Sequence, residues 1–159
     1  LAYVIGTQPF WTLNLKVTAD TLVPRPDTEI LVETVLHLAL PETTHLLDLG
    51  TGTGAIALTL ASERPHWRVI ATDIYAPTLA VAQENADLHG LTQVNFMCSE
   101  WYAGFEQNLA KFDLIVSNPP YSDAEDVHMQ SLTAEPERAL VAAKQGLADL
   151  EMIIQQGRH

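Results

Sequence analysis

The sequence predicts an α/β fold, with a doubly wound and mostly parallel sheet preceded by a β-hairpin. After residue 24, short apolar strands alternate with helical segments through short connections, which is typical of such sheets. A glycine-rich loop also joins the first of these strands to the following helix. With 159 residues, of which 47% are hydrophobic and 18% charged, the chain is long enough for one domain with a sizeable core.

Residues 1–23 alternate loosely between apolar and polar and contain Gly6, Pro9 and Asp20 as turn formers. They predict a β-hairpin extension in strand conformation from its start, ahead of a core domain at 24–159. A helix begins at Pro26, which has acids in its first turn, and ends before Pro41. The later elements are a strand at 45–48, a helix at 55–63, a strand at 68–73, a helix at 76–88, strands at 94–97 and 112–117, a polar loop at 119–136 and a helix at 145–156.

The composition excludes several classes of function. The formal net charge is −12, with 20 acids against 8 bases, so direct binding of nucleic acid is disfavoured. No apolar run approaches the roughly 18 residues that a membrane span needs. Cys98 is the single cysteine, which favours a reducing, cytoplasmic setting, and its place beside an apolar strand predicts a small buried thiol.

The glycine-rich loop after the strand at 45–48 predicts a cofactor site, because glycine lets backbone approach a ligand closely. Its candidate contacts are Asp48, Gly50, Thr51, Gly52, Thr53 and Gly54. Asp73 ends the next strand, where a carboxylate can accept hydrogen bonds from both hydroxyls of a ribose. The alternative for Asp73 is capping of the next helix.

Glu100 and Trp101 follow the third strand of the alternation, where an adenine ring would lie in such a sheet. Glu100 is a candidate acceptor for the adenine amine, and the indole of Trp101 a candidate packing surface. A partly buried core tryptophan is the alternative.

The segment Asn118-Pro119-Pro120-Tyr121 follows the strand at 112–117 and carries the most specific signal in the chain. Two prolines fix the backbone, so that the Asn118 side-chain oxygen and the Pro119 carbonyl can face one point. Two such acceptors beside a flat tyrosine ring suit a planar –NH2 group, as in a glutamine amide or adenine amine. With the cofactor loop, this predicts a methyltransferase acting on a planar nitrogen, with no metal.

Phe10 is a further candidate for substrate contact, because an aromatic side chain in the hairpin could close the pocket and exclude water. Ordinary packing within the hairpin is the alternative.

These motifs resemble the release-factor glutamine methyltransferases along nearly the whole chain. The resemblance depends on Ile5-Gly6 with Phe10-Trp11, on Pro24-Arg25-Pro26-Asp27-Thr28-Glu29, on the segment Leu47-Asp48-Leu49-Gly50-Thr51-Gly52-Thr53-Gly54-Ala55-Ile56-Ala57, on Ser117-Asn118-Pro119-Pro120-Tyr121, and on Glu135-Pro136 with Ala139-Leu140-Val141-Ala142. The combination of the proline-rich motif and the Asn-Pro-Pro-Tyr motif is specific, whereas the glycine loop alone is not.

The resemblance implies a Rossmann-like class I methyltransferase fold, S-adenosyl-L-methionine as cofactor, and the glutamine of the Gly-Gly-Gln motif of peptide-chain release factors as substrate. It implies cofactor contacts at residues 50–54, Asp73, Trp101 and Asn118, with catalytic and substrate contacts at residues 118–121. Glu100 stands where the family usually has Asp. A full sheet of this fold has seven strands, so C-terminal strands are expected to be missing here. Members of the family usually begin with a small helical domain, which is expected to be missing as well.

Three other functions remain open from the residues alone. An adenine-N6 methyltransferase would use the same Asn-Pro-Pro-Tyr pocket, but the acidic composition disfavours it. A nicotinamide-dependent oxidoreductase is disfavoured by the G-x-G-x-G spacing. A non-catalytic cofactor-binding fragment, paired with a second copy through a sheet edge, is the third.

Overall fold

A four-stranded parallel sheet forms the centre of the computed structural model, which describes residues 1–105, 111–119 and 147–158. The elements in chain order are α1 Ala2–Ile5, β1 Thr7–Phe10, β2 Leu13–Lys16, α2 Pro26–Leu36, β3 His45–Leu49, α3 Ala55–Glu63, β4 Arg68–Asp73, α4 Ala76–Leu88, β5 Val94–Cys98, β6 Leu114–Ser117 and α5 Ala148–Gln156. Strands and helices alternate from β3 to β5 and the sheet is parallel, so the predicted α/β class is confirmed.

The strand order in the sheet is β5-β4-β3-β6. The register places Leu46 of β3 beside Val69 of β4 on one side and beside Leu114 of β6 on the other. The chain thus moves outward from β3 through β4 to β5 and then returns to the far side of β3. In parallel sheets such a reversal opens a crevice at the carboxyl ends of the strands, which is where ligands bind.

The two faces of the sheet are covered by different clusters, because neighbouring residues of a strand point to opposite faces. Leu46 belongs to the larger cluster, which includes α2, α3 and the β1–β2 hairpin. Leu47 and Leu49 face the other way and pack with Tyr102 and Phe105, against which Ile153 of α5 lies. Helix α3 is buried along residues 55–61 and forms the middle of the larger cluster.

The antiparallel β1–β2 hairpin packs on this core, and a buried asparagine ties it to the rest of the fold. Asn85 of α4 is fully buried. Its Oδ1 accepts the backbone N–H of Lys16 at 2.7 Å, and its Nδ2 donates to the carbonyls of Lys16 at 3.1 Å and Thr53 at 2.9 Å. One side chain therefore joins strand β2 to the glycine-rich loop.

The prediction of strand conformation from the first residue is wrong for residues 2–5, which form the short helix α1. Gly6 ends this helix with φ of 81°, and its N–H donates to the carbonyl of Ala2. Val4 and Ile5 are exposed, so the apolar side chains at the start of the chain do not mark a buried strand face. Tyr3 Oη instead donates to the carbonyl of Thr21 at 2.6 Å and holds the segment against the following loop.

Three of the predicted elements, α3, β4 and α4, have the bounds that the sequence indicates, and the others shift slightly. β6 begins two residues late, and Asp113 just before it still contacts β3: its N–H donates to the carbonyl of His45 at 2.9 Å, and its Oδ2 accepts the N–H of His45 at 2.8 Å. Helix α2 ends at Leu36 rather than close to Pro41. Residues 120–146 lie outside the described ranges, and so does most of the predicted polar loop.

Cys98 is exposed, so the expectation of a buried thiol is wrong. It ends the edge strand β5, and its Sγ contacts the carbonyl of Ile74 at 3.4 Å. Within the ranges that the structure describes, no helix is long and apolar enough to cross a membrane.

Candidate active site

A cleft with a volume of about 340 Å³ opens at the carboxyl ends of the four parallel strands. This volume lies within the ~300–1,000 Å³ range of small-molecule sites. Five parts of the chain line the cleft: the segment before α2, the glycine-rich loop after β3, the turn after β4, the turn after β5, and the first residues after β6. Helix α5 adds Asp149.

The glycine-rich loop needs glycine at two positions for steric reasons. A Cβ atom at Gly54, where φ is 86°, would lie 2.8 Å from Leu58 Cδ1, inside the first turn of α3. Gly50 has φ of 70°, and a Cβ there would lie 3.4 Å from the Trp101 ring. At Gly50 the positive φ is the reason for glycine, since a Cβ at 3.4 Å from the indole would make an ordinary contact.

Asp48 lies beneath this loop rather than in the cleft. It is fully buried, is not among the residues that line the cleft, and its Oδ2 accepts the hydroxyl of Thr51 at 2.6 Å. The prediction that Asp48 contacts a cofactor is therefore not met by this geometry, in which it supports Thr51 instead.

The environment of Asp48 perturbs its titration. Burial raises the pKa of Asp48 from 3.8 to about 7, and the negative charge of Asp73 also raises this pKa. Hydrogen bonds from the Thr51 hydroxyl and the Ala57 backbone N–H act in the opposite direction. Desolvation is the largest of these effects on the pKa because the Asp48 side chain is fully buried.

Asp73 stands at the edge of the cleft and holds two backbone segments together. It lines the cleft, and its Oδ2 accepts the N–H of Gly52 at 3.1 Å, which links the ends of β3 and β4. Its Oδ1 accepts the N–H of Tyr75, the residue before α4, at 3.1 Å.

Trp101 and Glu100 both line the cleft, on the turn that follows β5. Trp101 has φ of 45°, which is unusual for a residue with a large side chain and stores local strain. The Ser99 hydroxyl donates to the carbonyl of Ala103 at 2.5 Å and so stabilises the turn. Asp149 also reaches this part of the cleft, and its pKa is raised by burial and by the charge of Glu100.

Asn118 and Pro119 line the cleft directly after β6. Asn118 Nδ2 donates to the hydroxyl of Thr28 at 3.2 Å, and Ser117 Oγ donates to the carbonyl of Leu49 at 2.8 Å. The end of β6 is thereby fixed to β3 and to the first turn of α2. Pro120 and Tyr121 lie outside the described residues.

Phe10 does not line the cleft. It is 2% exposed and packs in the larger core cluster, so the expectation that it closes the pocket is wrong and the alternative of hairpin packing holds.

The sequence prediction missed several residues of the cleft. They include Thr28 in the first turn of α2, the exposed apolar side chains Ile74 and Tyr75 after β4, and Asp149. Thr28 belongs to the Pro-Arg-Pro-Asp-Thr-Glu motif that supports the family resemblance, and this motif is the signal that could have found it. Nothing in the sequence signals Asp149, whose position depends on how α5 packs.

The arrangement can bind a polar, extended ligand and hold a second group beside it. Backbone amides, the Asp73 carboxylate and the Trp101 indole surround one end, and the Asn118 amide stands at the other. In the described ranges there is no group of three or more His, Cys, Asp or Glu side chains placed to hold a metal ion.

Comparison with known proteins agrees with this geometry. The family model "Methyltransferase small domain" matches residues 26–149. A release factor glutamine methyltransferase of Coxiella burnetii is 44% identical over 159 residues, which are 99% of this chain and 57% of that protein. The enzyme of the same name from Escherichia coli K12 is 45% identical over 161 residues, which are 100% of this chain and 57% of that protein. This chain thus spans a little over half the length of these relatives.

Among solved structures, the hMettl16 catalytic domain in complex with MAT2A 3′UTR hairpin 6 superposes with a TM-score of 0.70 at 16% identity, covering 92% of this chain and 56% of that one. This likeness confirms the methyltransferase-type fold. The relatives in turn confirm the resemblance to release-factor glutamine methyltransferases found in the sequence. Because the family model matches most of its length, the chain belongs to the methyltransferase small domain family.

Proposed function

We propose that this chain is the core of an S-adenosyl-L-methionine-dependent methyltransferase that methylates the side-chain amide nitrogen of the glutamine in the Gly-Gly-Gln motif of peptide-chain release factors. The observation that carries the proposal is the meeting of the glycine-rich loop, Asp73 and Asn118 in one cleft. The names of relatives that match nearly the whole chain support the substrate.

In this proposal the cofactor occupies the side of the cleft formed by Gly50, Gly52, Asp73 and Trp101. The loop backbone binds the amino-acid part of the cofactor, and the Asp73 carboxylate accepts hydrogen bonds from the ribose hydroxyls. Trp101 packs beside the adenine ring, and Glu100 accepts a hydrogen bond from the adenine amine. The bound cofactor supplies a methyl group on a cationic sulfur. The S–CH3 bond breaks as the N–CH3 bond forms, and the amide nitrogen then loses one proton.

The substrate amide binds at the end of β6. Asn118 Oδ1 and the Pro119 carbonyl accept its two N–H bonds, which orients the nitrogen toward the methyl group. These acceptors also stabilise the positive charge that develops on nitrogen in the transition state. Pro120 and Tyr121 complete the proposed substrate contacts, with the ring of Tyr121 against the flat amide.

The remaining parts of the proposal concern the partners, the location and the division of the chain. Release factors are proteins, and the net charge of −12 disfavours direct binding of nucleic acid. A single cysteine and a substrate that acts in translation support a cytoplasmic location. We retain the division into a hairpin extension at 1–23 and a cofactor-binding catalytic domain at 24–159 as part of this proposal.

Replacing Asp73 by Ala should weaken the binding of S-adenosyl-L-methionine by about 1–3 kcal/mol, the scale of hydrogen bonds to a charged group. Calorimetric titration measures the change. Asp87→Ala is the matched control, because Asp87 is exposed on α4 and the one hydrogen bond described for its side chain is with Gln83. Equal affinities for the two variants would remove Asp73 from the ribose site.

Mass spectrometry of an unmethylated release factor tests the function. The release factor is incubated with S-adenosyl-L-methionine and either this chain or this chain joined to the segments that complete its relatives. We expect one added methyl group on the Gly-Gly-Gln peptide, and none when that glutamine is replaced by glutamate. Methylation of an adenine-containing oligonucleotide in a parallel reaction, without transfer to the release factor, would favour the adenine-N6 alternative.

A further inference from the structure

The side chains of Thr28 and Asn118 are in contact where both line the cleft. The Thr28 hydroxyl accepts a hydrogen bond from Asn118 Nδ2 at 3.2 Å, across 90 positions of sequence. Both residues are part-buried, and both line the cleft. No other role in the proposed reaction falls to Thr28.

We propose that Thr28 is the positioning residue for Asn118, an inference that rests on the proposed function. The Asn side chain carries an acceptor oxygen and a donor –NH2 group at opposite ends of one plane. When Nδ2 is held at the Thr28 hydroxyl, Oδ1 points away from Thr28 and is free to accept an N–H of the substrate. The hydrogen bond to Thr28 fixes the plane of the Asn118 carboxamide. Without it the side chain can rotate away from the cleft, so loss of the anchor lowers the fraction of competent enzyme.

The position of the pair in the molecule fits this role. Thr28 and Asn118 line a second cavity as well as the cleft, and that cavity is bounded by Arg25, Pro26, Asp27 and Leu31. The pair therefore stands where the two spaces adjoin.

Thr28 is suited to be an anchor because the first turn of α2 is itself held in place. Pro26 begins the helix, and the N–H of Thr28 donates to the carbonyl of Arg25 at 3.1 Å. The neighbouring Glu29 accepts the backbone N–H of Trp11 at 2.7 Å, which fixes the turn to the hairpin. A side chain supported in this way can hold another to a defined orientation.

Two substitutions separate positioning from stability. Thr28→Val removes the hydroxyl at nearly constant shape, and Thr28→Ser keeps it. Thr34→Val is the matched control, since Thr34 is exposed on the same helix and its hydroxyl bonds only the carbonyl of Ile30 in the described structure. We measure kcat, KM for the release factor, cofactor affinity and Tm, together with the NMR signals of the Asn118 side-chain –NH2.

For Thr28→Val we expect kcat to fall by roughly 10–100-fold, the range of one misplaced catalytic group, with cofactor affinity and Tm close to wild type and the Asn118 –NH2 signals shifted. Thr28→Ser should restore most of the rate, and Thr34→Val should behave as wild type. Unchanged kcat in Thr28→Val, unshifted –NH2 signals, or a Tm loss that Thr28→Ser does not reverse would each overturn the proposal. If the wild-type protein transfers no methyl, the proposed function fails, and the –NH2 signals still decide whether Thr28 orients Asn118.

Discussion

Replacing Asn118 by Ala should lower kcat by about 10²–10³-fold, the loss seen when a preorganised group that stabilises transition-state charge is removed. The carboxamide oxygen accepts an N–H whose nitrogen becomes positive as the methyl arrives, so the hydrogen bond is stronger in the transition state than in the bound substrate. The affinity for S-adenosyl-L-methionine should change less than kcat, because Gly50, Asp73 and Trp101 lie at the ends of β3, β4 and β5 rather than of β6.

Steady-state kinetics with an unmethylated release factor, combined with calorimetric cofactor titration, measures both effects of Asn118→Ala. Asn95→Ala is the matched control, because Asn95 is an exposed asparagine of β5 that does not line the cleft. A turnover number of Asn118→Ala equal to that of Asn95→Ala would contradict the proposed role of Asn118. A loss of cofactor affinity as large as the loss of kcat would instead make Asn118 a binding residue.

The buried carboxyl of Asp48 should make the free energy of unfolding depend on pH between about 4 and 7. Its pKa is raised to about 7 in the folded chain, chiefly by burial, and is 3.8 ordinarily. Below pH 3.8 the group is protonated in both states. Between these two values the folded chain retains a proton that the unfolded chain has released, so stability falls as pH rises and levels off above about 7. The full effect is on the order of 4 kcal/mol, from 1.36 kcal/mol per pKa unit.

Asp48→Asn isolates this effect, because an amide of the same shape can still accept the Thr51 hydroxyl but does not titrate. Chemical denaturation at several pH values gives the free energy of unfolding of both proteins. The advantage of the Asn variant over wild type should grow from about pH 4 to about pH 7 and then stay constant. Asp87→Asn, at an exposed position, should show no such growth. A difference between Asp48→Asn and wild type that does not vary with pH would contradict the perturbed pKa.

Local sequence patterns predict the central sheet well, because its strands and helices are buried and their apolar periodicity reflects that burial. The same reasoning fails for residues 2–5, where the apolar side chains of Val4 and Ile5 are exposed and a left-handed glycine ends a helical turn. The prediction of a buried thiol at Cys98 fails for a related reason. Its strand β5 is at the edge of the described sheet, and strand order cannot be read from periodicity.

Local sequence patterns likewise predict some residues of the candidate site and miss others. The sequence predicts the glycine-rich loop, Asp73, Trp101 and Asn118, because each directly follows a parallel strand and such residues meet at one edge of the sheet. Contacts between elements distant in sequence are not predictable in this way. Thr28 bonds Asn118 from a helix 90 positions earlier, and Phe10 turns into the core rather than the cleft.

The three hydrogen bonds of Asn85 have a consequence for engineering shorter forms of this protein. A version trimmed to begin at residue 24 would retain α4 but lose Lys16, and the Asn85 amide would keep only its bond to Thr53. A buried polar group without its partners costs about 1–3 kcal/mol, and this group is also attached to the loop proposed to hold the cofactor. The minimal unit for crystallisation, display or fusion therefore includes the hairpin, even though its sequence reads as an appendage.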